Sequence, residues 1–197
     1  IISFDEYRYW NDNGSLEDSQ RGNRLLEQSE ILIRNQGSVE KSPFLLKQSV
    51  IAKNLLRRFI NDELGAHEVF DHVYLGKFLA LTKIWNAEHS LHIHNINFYL
   101  NPITCKLEPI GFDGMPGHSE SQSFSYFTNE TPQLLWVRKA LESEAVANSY
   151  LKYLFEFTER NYFEKLKQKF HQEESHYRKL IIKNLFLEEH SMIWSSF

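Results

Sequence analysis

Between Glu88 and Gly114 the chain reads EHSLHIHNINFYLNPITCKLEPIGFDG, which holds three of its nine histidines and an isolated aspartate in apolar surroundings. Imidazole exchanges protons near neutral pH and ligates transition metals, whereas an amide oxygen and a carboxylate are hard donors suited to magnesium or manganese. Three chemistries fit these residue types. Glu88, His89 or His92 can act as a general base toward a hydroxyl. Asn95 and Asp113 can hold a divalent cation that bridges nucleotide phosphates. His92 and His94, two residues apart on one expected strand face, can offer two imidazoles to zinc, with His89, Glu88 or His118 as a third ligand. Each residue also has a plain structural use: a glutamate or histidine at a helix end, a core histidine, an asparagine at a strand end, an aspartate in a turn. Cys105 stands beside Lys106 in a turn and has no evident base partner.

The elements that must position these groups follow from periodicity. His94, Ile96, Phe98 and Leu100 alternate with Asn95, Asn97 and Tyr99, the period of a strand. Asn101-Pro102-Ile103-Thr104 supplies a turn, and KLEPIGF returns as a second strand, so a hairpin is expected from about residue 92 to 112. Antiparallel pairing then brings Asn95 and Asp113 to the same end of that hairpin. Upstream, Val50, Ile51, Leu55, Phe59 and Ile60 follow the helical period from Leu46 to about Leu64. Asp71 can cap a second helix whose Val73, Tyr74, Phe78, Leu79, Leu81, Ile84 and Trp85 predict burial on several sides.

Beyond Thr131 three helical pieces are expected, at about 132–142, 143–158 and 161–187. Leu151, Tyr153, Leu154, Phe155, Phe157, Tyr162, Phe163 and Leu166 are expected to be core, and the charged RNYFEKLKQKFHQEESHYRKL to be a solvated face. Residues 11–24 and 35–43 read as loops around a short helix near Leu25 to Arg34, so residues 1–45 look like an extended arm. The fold class expected is α+β, mostly α: an arm over 1–45, then a helical body over 46–197 carrying one hairpin.

Composition narrows the function. With 22 basic against 26 acidic residues and no Lys/Arg cluster, nothing draws the chain to nucleic acid. No apolar run reaches the roughly 18 residues of a membrane span, and the N-terminal IISFDEYRYW lacks the layout of a leader. The single cysteine excludes an internal disulfide and leaves the compartment open. A start without Met, inside an apolar segment, suggests a piece of a longer polypeptide.

HNINFYLNPITCKLEPIGFDG resembles the signature of the CotH kinase family, the spore-coat-protein-H-like atypical protein kinases. Asn95 matches the family's metal-binding asparagine, FYLNPITCK its hairpin and Asp113 its metal-binding aspartate. VFDHVYLGKFLALTKIWNAEH resembles the helix before its catalytic loop, and IISFDEYRYW a segment further upstream. The resemblance implies a protein-kinase-like C-lobe, ATP and Mg²⁺ or Mn²⁺ as cofactors, a protein hydroxyl as acceptor, and an upstream lobe of the same polypeptide that carries the nucleotide lysine. GSLEDSQRGNR is no phosphate-cradling loop. Three positions depart from the pattern: Ser90 where the catalytic aspartate would fall, Met115 where a second aspartate often follows, and Cys105 for the turn glycine. With Ser90 in that place, Glu88, His89 or His92 would have to serve as base. The same departures suit a second function, a catalytically degenerate scaffold that binds a partner, and the histidines a third, a His-ligated metal protein.

Overall fold

The computed structural model describes residues 1–5, 26–27, 29–117 and 134–185. The loop read at 11–24, His118 and the last two residues of the final expected helix lie outside the described residues. Two compact units divide the chain, one ending at Phe155 and the other starting at Glu156.

In the first unit, strands β1 (Ile2–Asp5), β2 (Glu30–Ile33), β3 (Asn97–Asn101) and β4 (Lys106–Ile110) form an antiparallel sheet of order β2-β1-β3-β4. Helices α1 (Gln36–Glu40), α2 (Pro43–Ile60), α3 (Ala66–Val69) and α4 (His72–Ile84) separate the two strand pairs, and α5 (Leu135–Leu141) and α6 (Glu144–Thr158), whose residues from Glu156 on belong to the second unit, follow. The mostly helical α+β class is therefore observed. Of the stretch expected to be a helix near Leu25 to Arg34, Leu26 and Glu27 are helical, but Glu30–Ile33 is β2, because Ile31 and its neighbours find a partner in β1, with Phe4 opposite Ile31. β1 in turn pairs with β3, Ile2 opposite Phe98, so these two short segments are integral to the sheet.

The two main helices of this unit form near where caps and periodicity placed them, but the stretch 35–43, expected to be a loop, holds α1 and the start of α2, because Ser42 and Pro43 start α2 ahead of Leu46. Ser42 Oγ accepts from Leu45 N at the start of α2, with Pro43 in the first turn, and Asp71 Oδ1 accepts from Tyr74 N at 2.9 Å to start α4. The buried stripe of α2 is Ser49, Ala52, Leu56, Phe59 and Ile60. Val50 lies outside it and is exposed, since one residue along a helix turns about 100°. In α4, Leu75, Gly76, Leu79 and Ala80 are buried, but Val73, Tyr74, Leu81 and Trp85 face outward, so α4 is covered on one side rather than several. Gly76 makes that approach possible: a Cβ there would stand 2.5 Å from the Ser149 Cβ on α6.

Phe59, Phe70, Phe98 and Trp136 form the centre of the core, with ring centroids 5.0 to 6.4 Å apart. Burial of aromatic groups this large dominates the stability of a domain. Lys106 ties the hairpin to α3 by donating to the His67 and Glu68 carbonyls.

In the second unit, α7 (Tyr162–Leu185) is a long helix with an Arg178–Glu174 pair at 3.1 Å. The aromatic density expected to be core is only partly so: Phe157 is buried and stacks with Tyr162, while Phe163 is exposed, as are Leu151 and Phe155 at the end of the first unit. Helical spacing alone does not say which stripe finds cover. Among the described residues, no helix is long and apolar enough to cross a membrane.

Candidate active site at the hairpin base

After α4 the chain turns sharply. Asn86 takes a left-handed φ of 50°, Ala87 N donates to Thr82 O, and a 3-10 helix, Glu88–Leu91, begins. The strand expected from His92 starts only at Asn97. His92 to Asn95 is a turn in which His92 O accepts from Asn95 N at 2.8 Å and Ile96 N at 2.9 Å. Asparagine side chains take backbone partners here, which favours a turn over a strand ladder. Asn95 Nδ2 donates to His89 O at 3.0 Å, Asn97 Nδ2 to Asn95 O at 2.7 Å, and Arg34 Nε to Asn97 Oδ1 at 3.0 Å. From the other side Trp136 Nε1 donates to Leu91 O at 2.7 Å in the core.

The loop after β4 packs against this turn. Gly114 lies so close that a Cβ would sit 3.4 Å from Ala87 and 3.8 Å from Ser90, and Gly117 N donates to Trp85 O at 3.1 Å. Asp113 and Met115 both adopt left-handed φ, 47° and 46°. Such backbone costs non-glycine residues about 1–2 kcal/mol each. The result is that Asp113 Oδ2 lies 3.5 Å from His89 Nε2.

His89, half-buried, stands between Asp113 and the turn whose amide, Asn95, holds its carbonyl. Asn95 itself is buried, and Asp113 is open to solvent. His92 is buried and His94 exposed, and together with His89 they offer ligand nitrogens all within 4.8 Å of one another. The two residues thought to share a strand face thus meet through a turn. Ser90 is buried and donates to Ala87 O at 2.8 Å, a hydroxyl bonded back into its own turn of the 3-10 helix.

Glu88 is placed differently from the histidines. Only 2% exposed, it pairs through Oε1 with Lys83 Nζ at 2.5 Å. Its Oε2 and the Nδ1 of His89 are buried side-chain atoms without a hydrogen-bond partner. Burial first, and then the negative charge of Glu88, push the Tyr150 hydroxyl up to about 12. Sequence reasoning missed Lys83, Tyr150 and Trp136. Their roles depend on contacts between helices, and a lysine five residues before a glutamate carries no helical-pair signal.

Cys105 is exposed at the hairpin tip and adopts φ 53° itself, so the turn keeps its left-handed geometry without the glycine. An open cavity of about 630 Å³, lined by residues that include Asp62, His67, Lys139 and Ser143, shares no residue with the histidine cluster. Two pairs of its polar groups bind each other, Lys139 Nζ 2.7 Å from Asp62 Oδ1 and His67 Nδ1 3.3 Å from Ser143 Oγ.

Comparison of the chain with protein-family models, with curated proteins and with solved structures finds no match in any of the three.

Proposed function

We propose that this chain is a CotH-like phosphotransferase module that uses ATP and Mg²⁺ or Mn²⁺ to phosphorylate a protein hydroxyl. Asn95 and Asp113 provide the oxygen ligands for the cation, and His89 serves as the base. The observation that carries this reading is the meeting of both ends of the hairpin base on His89: the Asp113 carboxylate lies 3.5 Å from its ring while the Asn95 amide holds its carbonyl.

A carboxylate beside an imidazole fixes its tautomer and stabilises the imidazolium formed when a hydroxyl proton is taken. A carboxylate and an amide oxygen around one peptide are the donor types that kinase-type sites use for cations between phosphates. Glu88, buried and bound to Lys83, is the least suited of the three candidate bases, and His92 lies deeper than His89.

Thermal unfolding with Mn²⁺ and ATP, separately and together, tests the reading. A ligand at a hundredfold excess over its Kd stabilises the native state by about 2.7 kcal/mol. The shift is expected to need both ligands and to vanish in Asp113→Ala. No joint shift, or an undiminished one in Asp113→Ala, overturns the assignment.

A further inference from the structure

We propose that His89, His92 and His94 form a three-histidine centre for a divalent transition metal, with zinc the best chemical fit and a fourth position open to solvent. The proposal is an alternative use of the same turn: the phosphotransfer reading takes His89 as base and Asp113 as a cation ligand, whereas here His89 ligates the metal and Asp113 orients its ring.

The ring geometry carries it. The centroids of the three imidazoles form a nearly equilateral triangle of 5.0, 5.3 and 5.4 Å, with the rings inclined at 61°, 67° and 75°. With metal–nitrogen bonds of about 2.0 Å in tetrahedral array, imidazole centroids sit roughly 3.2 Å from the ion and about 5.2 Å from each other. The observed triangle has that size. The ligand nitrogens lie within 4.8 Å of one another and would have to close to the roughly 3.3 Å edge of a tetrahedral site when the metal binds.

A second observation points the same way. His89 turns Nε2 toward the Asp113 carboxylate at 3.5 Å, and its Nδ1 is buried without a hydrogen-bond partner. An aspartate accepting from one ring nitrogen leaves the lone pair of the other for a metal, the arrangement by which carboxylates orient ligating histidines. Asp113 is thus a positioning residue for this centre. The backbone beneath is already held by Trp136 on Leu91 O, by Asn95 on His89 O and by the paired amides on His92 O, so little order has to be created on binding. The graded burial of the three rings, His92 inside and His94 outside, gives a route for entry and a face for an exogenous ligand.

Cobalt(II) titration of the metal-free full chain, without nucleotide, tests the assignment. One cobalt per chain is expected to bind, with the intense visible absorption of a four-coordinate site, and zinc is expected to displace it. His94→Gln removes the exposed ligand and is expected to weaken cobalt binding by about tenfold or more while leaving circular dichroism and melting temperature unchanged. Asp113→Asn, acting through His89, is expected to weaken it by about 10–100-fold. Absence of saturable cobalt binding to the wild-type chain, or unchanged affinity in His94→Gln, overturns the proposal. His94→Gln leaves Asn95 and Asp113 in place, so its Mn²⁺–ATP thermal shift reports the phosphotransfer reading separately.

Discussion

The two ends of the β3–β4 hairpin both contain non-glycine residues in left-handed backbone, yet they are held by different means. At the tip the support is local: Asn101 Oδ1 accepts from Ile103 N and Thr104 N, Thr104 Oγ1 from Lys106 N, and Asn101 O from Cys105 N. At the base, Asn86, Asp113 and Met115 are held by residues far along the chain, through the Gly117–Trp85 hydrogen bond, the close packing of Gly114 on Ala87, and the His89–Asp113 contact. The tip leaves none of its described polar atoms both buried and unpartnered, whereas the base leaves two, on Glu88 and His89. Strain that a turn satisfies by itself is ordinary chain reversal. Strain fixed from outside, beside unsatisfied polar groups, is the contrast that motivates the functional proposals made for the base.

The largest test of that contrast is Lys83→Met. It strands the Glu88 carboxylate in the core and is expected to cost about 3–5 kcal/mol in urea unfolding. Next, Trp136→Phe keeps much of the ring packing but leaves Leu91 O without its donor, an expected loss of about 1–3 kcal/mol. It should also loosen the histidine triangle and weaken cobalt binding. At the tip, Asn101→Ala is expected to cost about 1 kcal/mol and to leave cobalt affinity unchanged, since its partners are all local. Equal sensitivity of cobalt binding to both would erase the distinction between the two ends.

Glycine substitutions sharpen the comparison further. Cys105→Gly and Asp113→Gly each relieve a left-handed residue and are each expected to stabilise by up to about 1 kcal/mol. Only Asp113→Gly should abolish the Mn²⁺–ATP shift, the trade of stability for function expected where strain serves a site. A further effect is one of pH. The folded chain holds the Tyr150 proton more tightly than the unfolded chain, where the hydroxyl titrates near 10. Its contribution is therefore complete below pH 10 and is lost as pH rises toward 12. The urea midpoint should fall across that window, and Tyr150→Phe should flatten the fall.

Much of the frame was legible in local signals. The Asp71 cap, the period of α2 and the Pro102 turn each act over a few residues, so they predict elements without knowledge of their neighbours. Where a partner decides, the expectation failed. EILI became β2 because β1 was there to pair with it, and of the aromatic run Leu151 to Leu166, Leu151, Phe155 and Phe163 are exposed, since helical spacing does not say which stripe is covered. The expected strand at His92 and His94 gave way to a turn because Asn95 and Asn97 found backbone partners.

For the site itself, the sequence alone determined that Asn95 and Asp113 share one end of the hairpin. Antiparallel pairing about a turn at Pro102 sets which residues face each other, and the observed register, Asn97 opposite Ile110, follows that rule. Only the tertiary structure decided that three imidazoles converge and that Asp113 reaches one of them. Those distances depend on left-handed backbone at Asp113 and on anchors as remote as Trp136 and Arg34, and a periodic pattern carries no information about contacts so far apart in the chain.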